Sequence, residues 1–409
     1  MSAKAPAAAG RDRQRDDLAF VLMRKGSKTM KLRQIVTAGS AVAIMAGVVA
    51  GCSSSSSSTP PSSTGSSATG SSTASLQTQL GGAANYSAME ALYHKAVAAG
   101  QTNVVIYGPS AGNDTAMYTA FKKSFPDIKV TGVPVVGPPM TAKLSAEMSS
   151  GKHVDDIAYT GSTDMLAYIK TGWFAPFKPS TLPPASQLAA ESSGPGNNFF
   201  GFTVGLSGML YNTSAVQASD VPTTWTGLLD PKWKNKLVMY DPTAIGEMDD
   251  IFAHLALVPG DTGMMTGLKA QNPQLSPSSD ITGPLTAVAQ GSKSLGIGVP
   301  YAFYLVAKAQ GAPVAFYLLN SDNYTVTLYG GIVKGAPDPL AAQLYEDWMY
   351  TPQAATAIAS EGEYSTVLAD AGPAGMPKLS AIKVFPYISL SQIPAADGGA
   401  IAQAQHIYG

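Results

Sequence analysis

The chain of 409 residues contains one cysteine, Cys52, and only four histidines. A single thiol excludes a disulfide framework, and His94, His153, His254 and His406 show none of the close spacings of metal-binding motifs. Glycine-rich phosphate loops and metalloprotease motifs are missing as well. We therefore expect no cofactor and no catalytic metal.

Arginine is missing from the greater part of the chain. From Cys52 to the C-terminus, the basic residues are 17 lysines against 24 acidic residues, a net charge of −7. An acidic chain is a poor partner for nucleic acid, which requires a basic face. Arginine is also the usual bidentate ligand of carboxylates and phosphates, so a bound anion would depend on lysine, hydroxyls or helix N-termini.

The sequence around Cys52 has the order of a secretory signal peptide. Lys31 and Arg33 precede an apolar run, Ile35–Val49, and small residues lead to Cys52. This order resembles the lipobox of bacterial lipoproteins, which implies that Cys52 is lipidated and becomes the new N-terminus. The alternative is a lone buried cysteine beside a membrane helix, although the run is shorter than the about 20 residues that span a bilayer. The resemblance predicts a lipid-anchored protein on the outer side of the cell membrane.

Composition divides the remainder of the chain. Residues 1–51 are expected to be a leader and signal peptide, with Met30 as the true start. Residues 52–84 begin with the lipidated cysteine and are rich in Ser, Thr, Ala and Gly without charge, which predicts a disordered tether. The roughly 325 residues that follow are more than one core usually holds, so two lobes are expected.

Strand and helix patterns alternate along these residues with short turns, which predicts an α/β fold with parallel sheets. A capping box at Ser87–Glu90 predicts a helix to about residue 99. Helices are expected over about 114–125, 140–148, 162–172, 249–257, 284–290, 301–310 and, broken at Pro352, 339–359. Strands are expected over about 103–107, 129–133, 156–159, 236–240 and 294–299.

A long motif carries a family resemblance. The run Trp225–Lys236, with the turn Asp241–Thr243, resembles the extracellular solute-binding proteins of bacterial ABC transporters, in the ferric-iron, polyamine and phosphonate branch. Gly205–Asn212, Lys308–Val314 and Gly331–Pro337 match the same family in order. Together these stretches extend the resemblance over most of the chain after the tether.

The resemblance implies a type II periplasmic-binding-protein-like fold, in which each of two lobes is a mostly parallel sheet flanked by helices. Lobe one would comprise residues 85–204 plus 320–409 and lobe two residues 205–319, with crossings near 202–210 and 314–324. A monomeric, non-enzymatic receptor would hold a small solute or ion between the lobes and deliver it to an ABC permease in the membrane. The alternatives are a lipid-anchored sensor or adhesion protein of this fold and, less favoured, a tethered hydrolase.

Two loops that precede helices are candidate binding sites, because helix N-termini offer free N–H groups to ligand oxygens. Ser110 and Asn113 lie in the first loop, and Ser162 and Thr163 lie in the second. The alternative for each residue is an ordinary turn or cap.

Ser207, Thr243 and Glu247 are candidates near the cleft that the resemblance implies. Ser207 lacks the final glycine of a nucleophile elbow, which favours a ligand-lining or structural role over catalysis. Thr243 ends the Asp-Pro-Thr turn. Glu247, with Asp249 or Asp250, places carboxylates where a cationic amine or a metal would bind, although negative charge at a helix N-terminus is an equal explanation.

Tyr301 and Tyr304 fall close to the position where iron-binding relatives present two adjacent tyrosines. In this chain the adjacent pair is Ala302 and Phe303, so the ferric phenolate pair is not reproduced. Hard-cation binding by Tyr301 with carboxylates stays open, as does stacking on a sugar or amine. The sequence favours a cation, a polyamine or a neutral polyol over a phosphonate or carboxylate.

Overall fold

A computed structural model describes residues 74–181, 194–258, 263–367 and 372–409. The strands pair into one sheet in the order β2-β1-β3-β9-β4-β7-β5-β6, and β8 and β10 also pair with β4. The strands are β1 (Asn103–Gly108), β2 (Lys129–Pro134), β3 (Ile157–Thr160), β4 (Phe200–Asn212), β5 (Leu237–Tyr240), β6 (Gln274–Ser276), β7 (Leu295–Pro300), β8 (Val314–Tyr317), β9 (Tyr324–Ile332) and β10 (Tyr364–Ser365).

The sheet has two parallel parts joined by antiparallel strands. Strands β1, β2 and β3 run parallel at one end, and β5, β6 and β7 run parallel at the other. Between them, β4 and β9 pair antiparallel, with Ser207 opposite Tyr324. Every residue of β4 is buried, because helices cover both faces of a sheet of this kind. The predicted α/β fold class with mostly parallel sheets is confirmed.

The crossing strands lie close to their predicted positions. The first expected crossing falls within β4. The second long strand is β9, which starts at Tyr324, where the predicted crossing ends, whereas β8 is a short strand beside β4. The exact lobe limits stay a prediction.

Helices cover the sheet on both faces. Phe121 and Trp348 belong to the core of the first parallel part, and Trp225 and Ile251 belong to the core of the second. The helices are α1 (Ala83–Ala98), α2 (Thr115–Ser124), α3 (Gly137–Ser150), α4 (Ser162–Lys170), α5 (Glu247–Leu255), α6 (Met264–Ala270), α7 (Gly283–Ala289), α8 (Tyr301–Ala309), α9 (Pro339–Trp348), α10 (Pro352–Ser360) and α11 (Ile393–Tyr408).

The start of the described chain differs from the prediction. Residues 74–79 form a short helix, and Leu80 is buried in the first core, so the part of the predicted tether from residue 74 onward is ordered. Helix α1 begins at Ala83, four residues before Ser87. The predicted capping box is therefore wrong, and Glu90 accepts a hydrogen bond from the Tyr86 hydroxyl at 3.0 Å instead. Cys52, the signal peptide and the greater part of the tether lie outside the described residues.

The C-terminal helix α11 was not predicted from the sequence. Its Ala400 and Ala404 are buried in the second core. The small residues allow a close approach to α5, although they form no strong apolar pattern in the sequence. Among the helices of the described residues, none has the length and apolar character required to span a membrane.

Candidate functional site

A cavity of about 140 Å³ lies where the two parallel parts of the sheet meet. Strands β1, β3, β5 and β7 all end at this cavity, and the loops that follow them form its walls. The carboxyl ends of parallel strands are the usual ligand position in open α/β sheets, because helices begin there and leave free N–H groups. Gly205 of β4 and Val326 of β9 form its floor.

Four of the predicted site residues line this cavity: Ser110, Ser162, Thr163 and Glu247. Two of their hydroxyls already have protein partners. The Ser110 hydroxyl lies 3.0 Å from the Tyr159 hydroxyl, and the Thr163 hydroxyl donates to Asp397 of α11. Among these four, Ser162 and Glu247 are therefore the two whose side chains have no hydrogen bond of normal geometry within the described part of the chain.

A second cavity of about 760 Å³ adjoins the first. The two cavities share Ser110, Ala302, Phe303 and Glu363 as lining residues. Asn113, which is exposed, lines only this second cavity. The structure thus places Asn113 near the candidate site but outside its smaller, more enclosed part.

The position of Ser110 depends on a buried polar group behind it. The Tyr159 hydroxyl donates to the Asp114 carboxylate and contacts Ser110. A Cβ atom at Gly108 would lie 2.4 Å from the Tyr159 ring, so only glycine leaves room for this tyrosine. Asp114 directly precedes α2, but its side chain makes no cap hydrogen bond and serves this group instead.

Ser207 and Thr243 are not brought to the cavity. Ser207 is buried within β4, and its hydroxyl has no hydrogen-bond partner among the described residues. The Thr243 hydroxyl donates to Asp241 at 2.7 Å, which closes the turn after β5. Both side chains therefore face the protein interior or a turn.

Tyr301 and Tyr304 also point away from the cavity. They stand three residues apart on one face of α8, and both rings pack against Phe316. The Tyr301 hydroxyl donates to the carbonyl oxygen of Ala374 at 3.1 Å. The helix instead turns Ala302 and Phe303 toward both cavities. Alanine and phenylalanine offer no metal ligand there.

All the charged side chains that line the smaller cavity are acidic. They are Asp164, Glu247, Asp250 and Glu363, and no basic residue of the described chain lines it. Burial raises the pKa of Glu247 to about 7, and the nearby Ser207 hydroxyl opposes this rise without forming a hydrogen bond of normal geometry. Burial also raises the pKa of Asp164 and of Glu363. Removal from water disfavours a carboxylate, so a cation placed here would find strong, uncompensated partners.

The remaining walls of the smaller cavity are apolar or aromatic. Tyr240 and Phe303 contribute rings, and the Tyr240 hydroxyl is occupied by the carbonyl oxygen of Ile281 at 2.7 Å. The aliphatic residues are Val136, Ile245, Ile281, Val326 and Leu328. Apolar walls with a few acidic groups suit an organic molecule that carries positive charge.

Sequence reasoning missed two important lining residues. Phe303 had a signal, because spacing from Lys308–Val314 placed positions 302 and 303 at the cleft. Glu363 had none, because it reaches the cavity only through the pairing of β10 with β4. A contact between positions so far apart in the chain leaves no local pattern.

Comparisons with known proteins agree with this geometry. Residues 154–387 match the model of the bacterial extracellular solute-binding protein family. An uncharacterised protein of Haemophilus influenzae is 25% identical over 237 residues, which cover 56% of this chain and 66% of that protein, just under two thirds of its length.

Solved structures show the same fold at low identity. Iron-bound HitA from Pseudomonas aeruginosa is 20% identical with a TM-score of 0.56, and the match covers 75% of this chain and 99% of HitA. The periplasmic binding protein AfuA from Actinobacillus pleuropneumoniae, with fructose-6-phosphate bound, is 22% identical with a TM-score of 0.60 and covers 74% of this chain and 97% of AfuA.

The family match spans more than half of the chain and includes the Trp225–Lys236 motif, so the predicted resemblance is confirmed. The family and these structural neighbours are binding proteins rather than enzymes. The chain belongs to the family of bacterial extracellular solute-binding proteins.

Proposed function

We propose that this receptor captures an organic cation in the cavity between the two parallel parts of the sheet. The observation that carries the proposal is the lining, which among the described residues has four acidic side chains, no basic one, and apolar or aromatic walls. A bare metal ion would gain nothing from Phe303 and the aliphatic walls. A phosphorylated solute would face four carboxylates without a basic partner.

Glu247 is the proposed principal contact of the positive group. It stands at the start of α5, and its Oε1 atom is buried without a hydrogen-bond partner among the described residues. The side chain also lines the cavity, and an ammonium group bound there would pair with its carboxylate. Phe303 and Tyr240 line the same cavity, and the face of an aromatic ring there would attract the cation.

Delivery to an ABC permease is part of the same proposal. The residues that line the cavity come from loops of both parallel parts of the sheet. A solute that contacts both parts favours the closed arrangement, and the permease then recognises that arrangement. The structural neighbours HitA and AfuA carry iron and fructose-6-phosphate in the same fold, so the cargo of this chain depends on its own lining residues.

Membrane attachment through Cys52 supports delivery at the cell surface. A diacylated cysteine with a serine-rich segment behind it would hold the receptor near its permease. Labelling of cells with a radioactive fatty acid tests this point. Wild-type protein is expected to incorporate the label and the Cys52→Ser variant is not, and equal labelling of both would contradict lipidation at this residue.

Calorimetric titration tests the proposed solute class. We expect saturable binding of a member of a panel of quaternary ammonium compounds and short diamines, and none of sugar phosphates or neutral polyols. Glu247→Gln should weaken that binding at least about 30-fold, because loss of a buried charge partner costs about 2 kcal/mol or more. Glu346→Gln, which removes a buried carboxylate outside the cavity, is the matched control and should bind normally. Tight binding of a sugar phosphate alone would overturn the proposal.

A further inference from the structure

Three aspartates meet behind the wall of the solute cavity. Asp249 and Asp250 lie in the first turn of α5, and Asp397 lies in α11. One carboxylate oxygen of each residue lies within 4.8 Å of the oxygens of the other two. The three residues are called the α5–α11 cluster below. The cluster joins elements that are almost 150 positions apart in the sequence.

Each carboxylate of the cluster accepts at least one hydrogen bond from outside the cluster, and the Asp250 and Asp397 carboxyl groups also share a hydrogen bond with each other. Asp249 Oδ1 accepts from the Gly246 amide at 2.6 Å. Asp250 Oδ2 accepts from the Tyr324 hydroxyl at 2.6 Å, and Asp397 Oδ2 accepts from the Thr163 hydroxyl. These donors come from three separate elements and fix the directions of the three side chains.

A buried oxygen without a partner is the second observation. Asp249 is fully buried, and its Oδ2 atom has no hydrogen-bond partner among the described residues. Asp397 is 2% exposed, and no lysine of the described chain forms an ion pair with any of the three carboxylates. Buried carboxylates without a countercharge are costly, so an arrangement of this kind requires a cation or retained protons.

Space for an ion and its waters lies beside the cluster. A cavity of about 170 Å³ is lined by Asp250, Asp397, His254 and Tyr324. It shares Ser162, Asp250 and Val326 with the solute cavity, whereas Asp397 lines this cavity and not the solute cavity.

We propose that the α5–α11 cluster is a second cation site, in which Asp249, Asp250 and Asp397 bind one hard divalent cation such as Ca²⁺ or Mg²⁺. Carboxylate oxygens are the ligands such ions prefer, and water from the adjacent cavity would complete the coordination. The ion would tie α11 to α5 and, through Thr163, to the start of α4. Asp250 also lines the solute cavity, so the two sites share this residue, but the proposal does not depend on which solute binds there.

Equilibrium dialysis of the metal-stripped full chain against Ca²⁺, Mg²⁺ and Mn²⁺ in turn, at constant ionic strength, tests the proposal. We expect one ion bound per chain for at least one of these metals and an increase in Tm at saturation. Asp397→Asn keeps an oxygen for the Thr163 hydroxyl but removes the charge, and it should weaken metal binding at least about tenfold. Asp249→Asn should do the same if Asp397→Asn fails to fold.

Two control variants separate this site from the solute cavity. Glu247→Gln should bind the divalent cation normally, and Glu346→Gln should show the same increase in Tm as the wild type. Binding that is lost in Glu247→Gln and kept in both aspartate variants would place the ion in the solute cavity and overturn the second site. Absence of saturable binding in the wild type would overturn it as well.

Discussion

Two glutamates with raised pKa values, the half-buried Glu247 at the start of α5 and the buried Glu346 within α9, show how similar groups differ in role. Burial raises the pKa of Glu247 to about 7, and burial together with the neighbouring Asp347 raises the pKa of Glu346 to about 8. Glu247 faces a cavity of about 140 Å³. Glu346 instead packs against other residues in the protein interior. Its Oε1 atom lies beside Gly330 of β9, where an added Cβ atom would be 3.1 Å from that oxygen.

The comparison shows that a raised pKa does not by itself mark a binding site. Burial produces the shift in both places, because removal from water disfavours the charged carboxylate. What distinguishes Glu247 is that it lines the smaller cavity, whereas Glu346 lines neither of the two adjoining cavities. The residue type also does not mark the site by itself. Tyr301, at the start of α8, packs against Phe316, whereas Phe303 lines the cavity.

The largest expected effect is on stability and concerns Glu346→Gln. The pKa of Glu346 is about 8 in the folded chain and 4.5 in its ordinary state. Between these values the folded chain keeps a proton that the unfolded chain has lost, so wild-type stability falls as pH rises. The difference amounts to about 1.4 kcal/mol per pH unit at most and ends above the folded pKa.

Urea unfolding at pH 5, 6, 7 and 8 measures this difference. Glutamine does not ionise, so the variant should lose less free energy of unfolding than the wild type over this range. Its solute affinity should be unchanged. Parallel pH profiles for the two proteins would show that Glu346 does not carry the expected shift.

The next effect is on affinity and concerns the ring of Phe303. Phe303→Ala should weaken binding of the organic cation about tenfold, or about 1.4 kcal/mol, because it removes a contact through an aromatic face. Phe303→Leu separates the two parts of this contact, since it keeps apolar surface and removes the π system. Calorimetric titration of both variants is the measurement. Wild-type affinity in Phe303→Ala would mean that the solute does not reach this wall.

The smallest effect is expected for Tyr301→Phe. It removes the hydroxyl that donates to the Ala374 carbonyl at 3.1 Å, which should cost about 1 kcal/mol in the free energy of unfolding. Solute affinity should stay the same, because the ring packs against Phe316 and does not line the smaller cavity. A large loss of affinity would restore the prediction that Tyr301 contacts the ligand.

Much of the fold followed from local patterns. The alternation of short apolar strands with helices predicted the parallel parts of the sheet, and the turn at Pro352 correctly separated α9 from α10. The capping box at Ser87 failed because the chain continues as helix upstream to Ala83, where no strong local signal stands. Helix α11 was missed because its buried residues are mostly small alanines.

The candidate site was only partly accessible to the same reasoning. Ser110, Ser162, Thr163 and Glu247 line the cavity because each lies in a loop after a parallel strand or at the start of the helix that follows, which a sequence pattern predicts. Tyr301 was expected to contact the ligand, but Phe303 lines the cavity instead. The two residues lie in the same turn of α8, and the direction in which each side chain points determines which of them reaches the cavity.

The sequence by itself determined the class of this protein: an acidic chain without arginine after its signal-like segment, with a motif of the extracellular solute-binding family. Only the tertiary structure decided what the acidic residues do. Charge and composition are properties of the chain, whereas desolvation depends on neighbours that are distant in sequence. Folding therefore assigned Glu247 to an open cavity, Glu346 to the interior, and Asp397 to a cluster with α5.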